Sequence, residues 1–395
     1  MILDKKIGKI LVMVLLMSIF PVKCSEKSQI TTDPRDQYFP ALYGNIVVWV
    51  DNRDGNWDIY GYNLSTEHMF PITTDPRDQS SPALYGNIVV WQDNRNGNSD
   101  IYGYSLSTRK EFQITTNTSN QYDPALYENI VVWQDYRNHT PDVYGYNLST
   151  EEEFQITTNT SDQVLPTIYE NTVIWQDNRN GNWDIYGYDF STLGESQITT
   201  NTNNQLYPAI YEDFVVWADD RNGNWGIYGY DFSTRKEFQI TVDLSDQYNP
   251  AIYEFIIVWR SRISGNPDIY GYDLLTGGEF QITIDPSDQY NPAIYKDFVV
   301  WEDYRNGNSD IFGRDIHRYD LSKSIYPLLS VSRGGVVWIL LPLLGILYLV
   351  LLIYKRDFME ASQFNDVGIA KEDTGNNHIN HVGHNHIAFL MEKRL

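Results

Sequence analysis

Residues 37–63 read QYFPALYGNIVVWVDNRDGNWDIYGYN, and this stretch decides the fold because it contains three short strand patterns separated by turns. The first predicted strand is Pro40–Tyr43, which turns at Gly44-Asn45. The second, Ile46–Trp49, is apolar at every position, as expected of a strand covered on both faces. After a polar, glycine-containing turn, Asp58–Tyr62 predicts a third strand, whose glycine indicates close approach of a ring or backbone.

A fourth strand is predicted at Met69–Thr73, and it is clearer in the later copy Glu111–Thr115, where apolar and polar residues alternate. We expect this strand to be outermost and half-solvated, which explains why Pro71 can replace the glutamine of the other copies. The repeated region has no apolar period of 3.6 residues. Helical solenoids are therefore excluded.

The four-strand unit recurs every 42 residues without insertion or deletion, a period typical of a solenoid or a propeller. A tryptophan column is expected to pack between blades: Trp49, Trp91, Trp133, Trp175, Trp217, Trp259 and Trp301. A tyrosine column runs beside it: Tyr43, Tyr85, Tyr127, Tyr169, Tyr211, Tyr253 and Tyr295. The motif Gln-Ile-Thr begins at Gln29, Gln113, Gln155, Gln197, Gln239 and Gln281, and Pro71-Ile72-Thr73 takes its place in the first unit.

Counting strands predicts how the ring closes. There are seven copies of the three-strand unit, and the Gln-Ile-Thr strand also occurs seven times, but Gln29–Thr32 precedes every unit and none follows Ile316. An N-terminal strand should therefore complete the seventh blade and leave no open edge. The predicted fold class is all-β, with a seven-bladed β-propeller of four-stranded blades over residues 25–320.

The N-terminus has the pattern of a secretory signal. Lys5, Lys6 and Lys9 precede an apolar run over 10–20 that is too short to span a bilayer comfortably. Residues 1–24 are therefore predicted to be a signal peptide or a short anchor. Cys24 leaves lipidation open as an alternative, although small residues do not precede it.

A second apolar stretch, GVVWILLPLLGILYLVLLIY at 335–354, is long enough to span a bilayer and is followed at once by Lys355 and Arg356. This pattern predicts a transmembrane helix with the propeller outside the cell and the C-terminus in the cytoplasm. Residues 321–334 would be a linker, and 355–395 a cytoplasmic tail without fixed structure. A buried core helix is the alternative.

The overall charge limits the partners. With 52 acidic and 29 basic side chains, the formal charge is -23, which disfavours nucleic acid. The chain has 30 tyrosines and 11 tryptophans, too many for a disordered acidic segment. A single cysteine cannot form an internal disulfide, so the core must stabilise the fold.

The repeat carries a family resemblance in Pro40-Ala41, Gly44, Trp49, Asp51–Asn56 and Asp58–Tyr60. These residues resemble the TolB-type propeller repeat, and more closely the 42-residue propeller repeats of methanogenic archaeal surface proteins. The resemblance covers residues 29 to about 316. It implies a secreted, surface-exposed binding or envelope scaffold, and it implies no catalytic residues.

The turn Asp-x-Arg-x-Gly-Asn-x-Asp leaves two interpretations open. Its carboxylates, Asp51 and Asp58 in the first unit and Asp93 and Asp100 in the second, could bind Ca²⁺. Alternatively, the arginine within each turn supplies a counter-charge and the turn is structural. The copies are unequal: the fifth has Gly226 for an aspartate, and the sixth has Ser261 and Ile263 for Asp and Arg.

The same turns contain the predicted binding residues. Trp57, Trp183 and Trp225 stand where other copies have serine or proline, and Arg260 and Arg262 interrupt an acidic ring. Because these positions vary among near-identical copies, we predict exposed aromatic platforms for sugar rings or partner side chains. The alternative is that the tryptophans cover their own hairpins.

Two further sets of side chains are predicted sites. Four histidines cluster near the C-terminus and could bind a divalent metal: His378, His381, His384 and His386. Some of the sequons are predicted to carry glycans, while a fifth at Asn138 is a weaker candidate because its hairpin is tighter. The four candidates are these: Asn63, Asn117, Asn147 and Asn159.

No motif for a catalytic serine, a zinc protease or a phosphate-binding loop occurs. The sequence therefore predicts no cofactor and a non-enzymatic cell-surface protein, a binding or adhesion scaffold for envelope glycans or surface proteins. The alternative is a propeller lyase or hydrolase that acts on surface polysaccharide in the central funnel.

Overall fold

The structure, a computed structural model, describes residues 28–316. These residues form seven antiparallel sheets of four strands each. The first strands of neighbouring blades contact one another all the way round the ring, so they line the central channel, and the fourth strands are outermost. The predicted seven-bladed propeller is confirmed.

The strand bounds repeat from blade to blade. The first strands are Gln37–Tyr43, Gln79–Tyr85, Gln121–Tyr127, Gln163–Tyr169, Gln205–Tyr211, Gln247–Tyr253 and Gln289–Tyr295. The second strands are Ile46–Asp51, Ile88–Asp93, Ile130–Asp135, Thr172–Asp177, Phe214–Asp219, Ile256–Ser261 and Phe298–Asp303. The third strands are Asp58–Asn63, Asp100–Ser105, Asp142–Asn147, Asp184–Asp189, Gly226–Asp231, Asp268–Asp273 and Asp310–Asp315. The fourth strands are His68–Pro71, Lys110–Gln113, Glu152–Gln155, Gly194–Gln197, Lys236–Gln239, Gly278–Gln281 and, in blade seven, Ser28–Gln29.

The N-terminal strand closes the ring as predicted. Ser28–Gln29 pairs antiparallel with Asp310–Asp315, the third strand of blade seven. The Ile30 amide then donates to the carbonyl of Ile311 at 2.8 Å, and the Ile311 amide donates to the Thr31 hydroxyl at 2.8 Å. Ile30 is buried in the core next to Trp49. The third strand of blade seven is therefore paired on both sides, and the blade has four strands like the other six.

The tryptophan column forms the core between blades. All seven of these side chains are essentially fully buried. Trp91 of blade two packs against Val48, Val50 and Ile59 of blade one, and the same arrangement recurs around the ring. The tyrosines of the second column form a closed ring at the C-terminal ends of the first strands. Each ring centroid lies 4.6–4.8 Å from the next, from Tyr43 through Tyr295 and back.

The repeated glycine of the third strand makes the close contact that the sequence predicted. A Cβ on Gly145 would lie 2.6 Å from two ring carbons of Phe154, its cross-strand partner. In blade four the partner of Gly187 is Ser196, and the nearest atom to a Cβ there is 3.2 Å away. We expect Gly145→Ala to lower the free energy of unfolding by about 1–3 kcal/mol through overpacking. Chemical denaturation measures this loss.

The matched control is Gly187→Ala, which has no aromatic ring above it. Its loss should be smaller than that of Gly145→Ala. The double substitution Gly145→Ala with Phe154→Ser should recover part of the stability. Equal losses at the two glycines would contradict the ring-contact explanation.

Several predictions fall on residues that the structure does not describe. They are the signal peptide with Cys24, the linker, the predicted membrane span over 335–354, and the tail with its four histidines. Within residues 28–316, no helix is long and apolar enough to cross a membrane.

Candidate functional site at the mouth of the central channel

The channel has two unlike ends. At one end lies the closed ring of tyrosines. At the other, the first strands begin, and the turns between second and third strands meet the start of the next blade. There the Gln79 amide donates to the carbonyl of Trp57 at 2.8 Å. We call this second end the upper mouth.

Each first strand carries a bulge just inside the upper mouth. In blade one the register shifts between Tyr38 and Ala41, and Phe39 has a φ of 54°. The equivalent residue has a φ between 47° and 56° in every blade: Phe39, Ser81, Asp123, Leu165, Tyr207, Asn249 and Asn291. We call these seven residues the bulge ring. This left-handed conformation is unfavourable for bulky side chains, and strained backbone of this kind clusters at functional sites.

The bulge ring surrounds a cavity of about 490 Å³ together with the prolines that follow it. The proline is present in every blade, but the residue before it differs. Phe39 is 51% exposed and Tyr207 is 38% exposed. Because the scaffold repeats while these lining residues do not, the cavity wall is chemically uneven and suits an asymmetric ligand.

Side chains of the second strands fix the bulges from behind. Gln92, Gln134 and Gln176 accept a hydrogen bond from the bulge-ring amide of the next blade, at 2.7, 3.2 and 2.6 Å. Glu302 does the same for Phe39 at 2.7 Å. For the other three bulge-ring amides, the equivalent second-strand residue of the preceding blade is Val50, Ala218 or Arg260. None of these side chains has an acceptor atom.

A polar network connects part of the cavity wall. Gln134 donates to the carboxylate of Asp123 at 2.8 Å. Asn249 donates to Asn291 at 3.1 Å, and Asn291 donates to Glu302 at 2.8 Å. Burial raises the pKa of both Asp123 and Glu302, and the donors to each carboxylate oppose the rise. Around the cavity wall, polar and apolar arcs therefore alternate: Ser81 and Asp123 of blades two and three and Asn249 and Asn291 of blades six and seven are polar, whereas Leu165, Tyr207 and Phe39 of blades four, five and one are apolar or aromatic.

Blade six brings the two predicted arginines together with tyrosines. The Arg260 guanidinium lies over Tyr248, at 4.7 Å from the ring centroid, and over Tyr290 at 5.3 Å. Arg260 is half-buried, and burial lowers its pKa, with the charge of Arg262 adding to the effect. Within residues 28–316, the Arg260 Nε–H has no acceptor, and neither arginine makes an ion pair with a carboxylate.

The three turn tryptophans are half-buried, so the prediction that they are exposed platforms is wrong. Trp57 packs on Tyr38 at 5.5 Å, and Trp225 packs on Tyr248 at 5.6 Å, because each turn folds over the start of a first strand. Trp225 thereby joins the Tyr248–Arg260 stack. Trp57 and Trp183 lie in blades one and four, apart from it. A binding role for the three remains a prediction.

The aspartates of the repeated turn have structural partners. Asp51 accepts from the Trp49 indole at 2.9 Å and from the Arg53 Nε at 2.9 Å, and Arg53 lies over the Tyr60 ring at 4.2 Å. Asp93 makes the same contacts with Trp91 and Arg95. These contacts support the structural interpretation of the turn.

Asp58 and Asp100 lie at the start of third strands, and their carboxylates accept hydrogen bonds from neighbouring polar side chains. Burial raises the pKa of Asp58 to about 6, against donors such as Thr73 and Asn56. Asp100 accepts from Asn96 at 2.7 Å and from Asn98 at 2.8 Å. No group of three or more His, Cys, Asp or Glu side chains placed to hold a metal occurs within residues 28–316. The described geometry thus gives the calcium interpretation no support.

The sequons differ in the freedom of the amide nitrogen that would carry a glycan. In four of them the asparagine Oδ1 accepts from the backbone amide two residues on, at 2.9–3.0 Å: Asn63, Asn117, Asn147 and Asn159. At Asn138 the Nδ2 donates to Asp142 and Tyr144. These bonds engage the nitrogen that would carry the glycan, which supports the prediction that Asn138 is the poorer acceptor. Glycosylation of the other four remains a prediction.

Sequence reasoning missed the bulge ring. The signal was present, because the residue before each repeated proline differs in most copies. It was overlooked because the first predicted strand, Pro40–Tyr43, begins after that residue.

The class of protein that these observations define is a seven-bladed β-propeller with a ligand-sized cavity at the upper mouth of its channel. No protein-family model matches the sequence, and no curated protein is similar to it. Among solved structures it resembles an oligogalacturonate lyase from Vibrio parahaemolyticus, with 12% identity over 74% of this chain and 94% of that one and a TM-score of 0.59.

Two further solved structures are similar. The β-propeller domain of the Trilobed protease from Pyrococcus furiosus, described as having an open velcro topology, is 13% identical over 73% of this chain and 98% of that one, with a TM-score of 0.57. A puromycin-hydrolysing peptidase of Mycobacterium tuberculosis is 11% identical over 76% of this chain and 55% of its own length, with a TM-score of 0.59. At such identities the similarity shows the fold alone.

Proposed function

We propose that this protein is a cell-surface binding protein that holds a glycan in the cavity at the upper mouth. The observation that carries the proposal is the bulge ring, seven strained and mostly different residues around one cavity on an otherwise repeated scaffold. Ligand sites are concave and combine apolar walls with a few placed polar groups. The cavity has this composition.

A sugar suits the lining better than an apolar ligand. Phe39 and Tyr207 offer exposed ring faces that can cover the C–H face of a pyranose. Asn249, Asn291 and Asp123 offer amide and carboxylate groups that can exchange hydrogen bonds with hydroxyls. A surface protein remains the alternative partner, contacting the same mouth through its own loop.

The location of the protein is part of the proposal and rests on sequence. The basic and apolar N-terminus, the apolar stretch at 335–354 with its basic flank, and the resemblance to TolB-type and archaeal surface repeats all favour a membrane-anchored propeller outside the cell. The sequons lie in the part that would be external.

We expect Phe39→Asn with Tyr207→Asn to weaken binding of an oligosaccharide about 10–100-fold, the usual effect of losing aromatic anchors. Asparagine already occupies the bulge ring in blades six and seven with the same positive φ, so the fold should be unaffected. Isothermal titration against a panel of envelope oligosaccharides measures the affinity, and a thermal melt checks the fold.

The matched control is Trp183→Ser, at a turn where blade two has Ser99. If this variant loses binding while the Asn double variant keeps it, the site lies on the turns and the proposal is wrong. If no oligosaccharide of the panel binds the native protein, the glycan proposal is also wrong.

An enzymatic function is the second candidate. The solved structures of similar fold include a lyase and peptidases. The half-buried carboxyl of Asp123 lies at the cavity wall and the buried carboxyl of Glu302 behind it, and both have a raised pKa. Groups of this kind can act as general acids or bases. Release of shortened sugars from a polysaccharide, lost in Asp123→Asn, would favour this candidate over simple binding.

A further inference from the structure

Blade six departs from the repeat in a way that places positive charge behind the bulge ring. In the other six blades, an arginine pairs with a buried aspartate of the second strand, as Arg137 does with Asp135. Blade six has Ser261 and Ile263 at these two positions, so the ion pair is absent. Its arginines stand instead at positions 260 and 262. They are not required by the scaffold.

Arg260 points toward the interface between blades six and seven. In the repeat, this position supplies an acceptor to the bulge-ring amide of the next blade, as Gln176 does for Tyr207. Arg260 is a donor, and the corresponding amide, that of Asn291, is a donor as well. At the interface between blades six and seven, the Arg260 guanidinium and the Asn291 amide are thus both donors, where other blades have a donor and an acceptor. This arrangement favours a third, negatively charged group between them.

From this geometry, we infer that the blade six–blade seven interface binds the carboxylate of an acidic saccharide that occupies the cavity. The inference rests on the proposed glycan function and names the ligand class. Arg260 supplies a planar fork of donors that matches a carboxylate. Its buried Nε–H has no acceptor among the described residues, and Arg262 adds a second positive charge nearby.

The local environment favours an anion although the whole chain is acidic. The formal charge of -23 repels anions in general. Two arginines behind the bulge ring that make no ion pair within residues 28–316 are an exception that gives selectivity. The acidic neighbour Asp288 is engaged by the Tyr290 hydroxyl at 2.8 Å and makes no ion pair with Arg260. The carboxylate of a ligand would therefore not have to displace Asp288 from Arg260.

A saccharide is favoured over an acidic peptide by what surrounds the arginine. Tyr207 lines the cavity one blade before Arg260, and its side chain is partly exposed. Asn249 and Asn291 line the same part of the wall and are hydrogen-bonded to each other. A ring face beside amides and a cation suits a sugar that carries a carboxylate.

The test compares a glucuronic acid oligosaccharide with the neutral glucose oligosaccharide of the same linkage and length, by isothermal titration on the full chain. We expect the acidic sugar to bind at least about 10-fold more tightly, the effect of one good charge-assisted contact. Arg260→Gln should abolish this preference, so that the two sugars bind equally. Glutamine is the residue of blades two, three and four at this position, so the melting temperature should not fall.

Lys236→Gln removes the same charge from an exposed position on the outermost strand of blade five and should keep the preference. Equal binding of both sugars to the native protein, or a preference that survives Arg260→Gln, would overturn the carboxylate site while leaving the glycan site in place. Tighter binding of an acidic peptide than of either sugar would overturn the saccharide assignment.

If neither sugar binds, the proposed function fails, and titration with acetate and phosphate tests the anion site alone. Fluorescence quenching by these ions that requires Arg260 would retain the anion site with a different ligand. Its absence would overturn the anion site as well.

Discussion

Deleting residues 28–32 from the full chain should lower the melting temperature of the propeller by about 10 °C, because it opens the ring. The deletion removes the buried Ile30 side chain and leaves Asp310 without the Thr31 donor. Losing a buried isoleucine costs about 2–5 kcal/mol, and an orphaned buried acceptor about 1–3 kcal/mol. For a domain of this size, each kcal/mol shifts the melt by roughly 2 °C. Differential scanning calorimetry measures the shift.

The control is Ser28→Ala, which keeps the strand and changes only an exposed side chain. Its melt should match that of the native protein. A deletion that melts like the native chain would show that the N-terminal strand does not close blade seven in solution.

Asp135→Ser should lower the free energy of unfolding by about 3 kcal/mol, the cost of leaving a partly buried charge without its partner. The Asp135 carboxylate is fully buried and accepts from the Trp133 indole at 3.0 Å and from the Arg137 Nε at 2.9 Å. Arg137 keeps its ion pair with Glu153 in this variant, which limits the loss of stability. Urea denaturation followed by tryptophan fluorescence measures it.

Blade six provides the matched control. Asp135→Ser with Arg137→Ile reproduces Ser261 and Ile263, a pair that the propeller already tolerates. The double variant should lose less stability than the single one, because no guanidinium is left unpaired. If the two variants lose the same amount, the ion pair does not explain the repeat.

The fold could be predicted from the sequence because its signals repeat. A single Trp49 or Gly61 would be ambiguous, but a column of seven in fixed register leaves one architecture. The closing strand could be predicted in the same way. Every other copy of the Gln-Ile-Thr strand follows a third strand, whereas the copy at Gln29 comes before the first unit. Packing between blades requires these residues in every repeat, so the pattern is visible in the sequence.

The site could be predicted only in part. Arg260 and Arg262 stood out as a departure from the repeat, and the structure brings them together. The bulge at Phe39 did not stand out, because the residue before a proline is ordinarily extended and a left-handed conformation is not expected there. The exposure of Trp57 was also misjudged, since its contact with Tyr38 depends on the fold of the turn.

Hydrogen–deuterium exchange with and without the acidic oligosaccharide tests most directly whether the upper mouth is the ligand site. We predict slower exchange with ligand in peptides that contain the bulge ring, above all around Tyr207, Asn249 and Asn291, and in the peptide with Arg260. Peptides over 63–68 and 147–152, in turns at the opposite end, should exchange unchanged. Protection confined to the turns of Trp57 and Trp183, with none at the bulge ring, would contradict the proposed site.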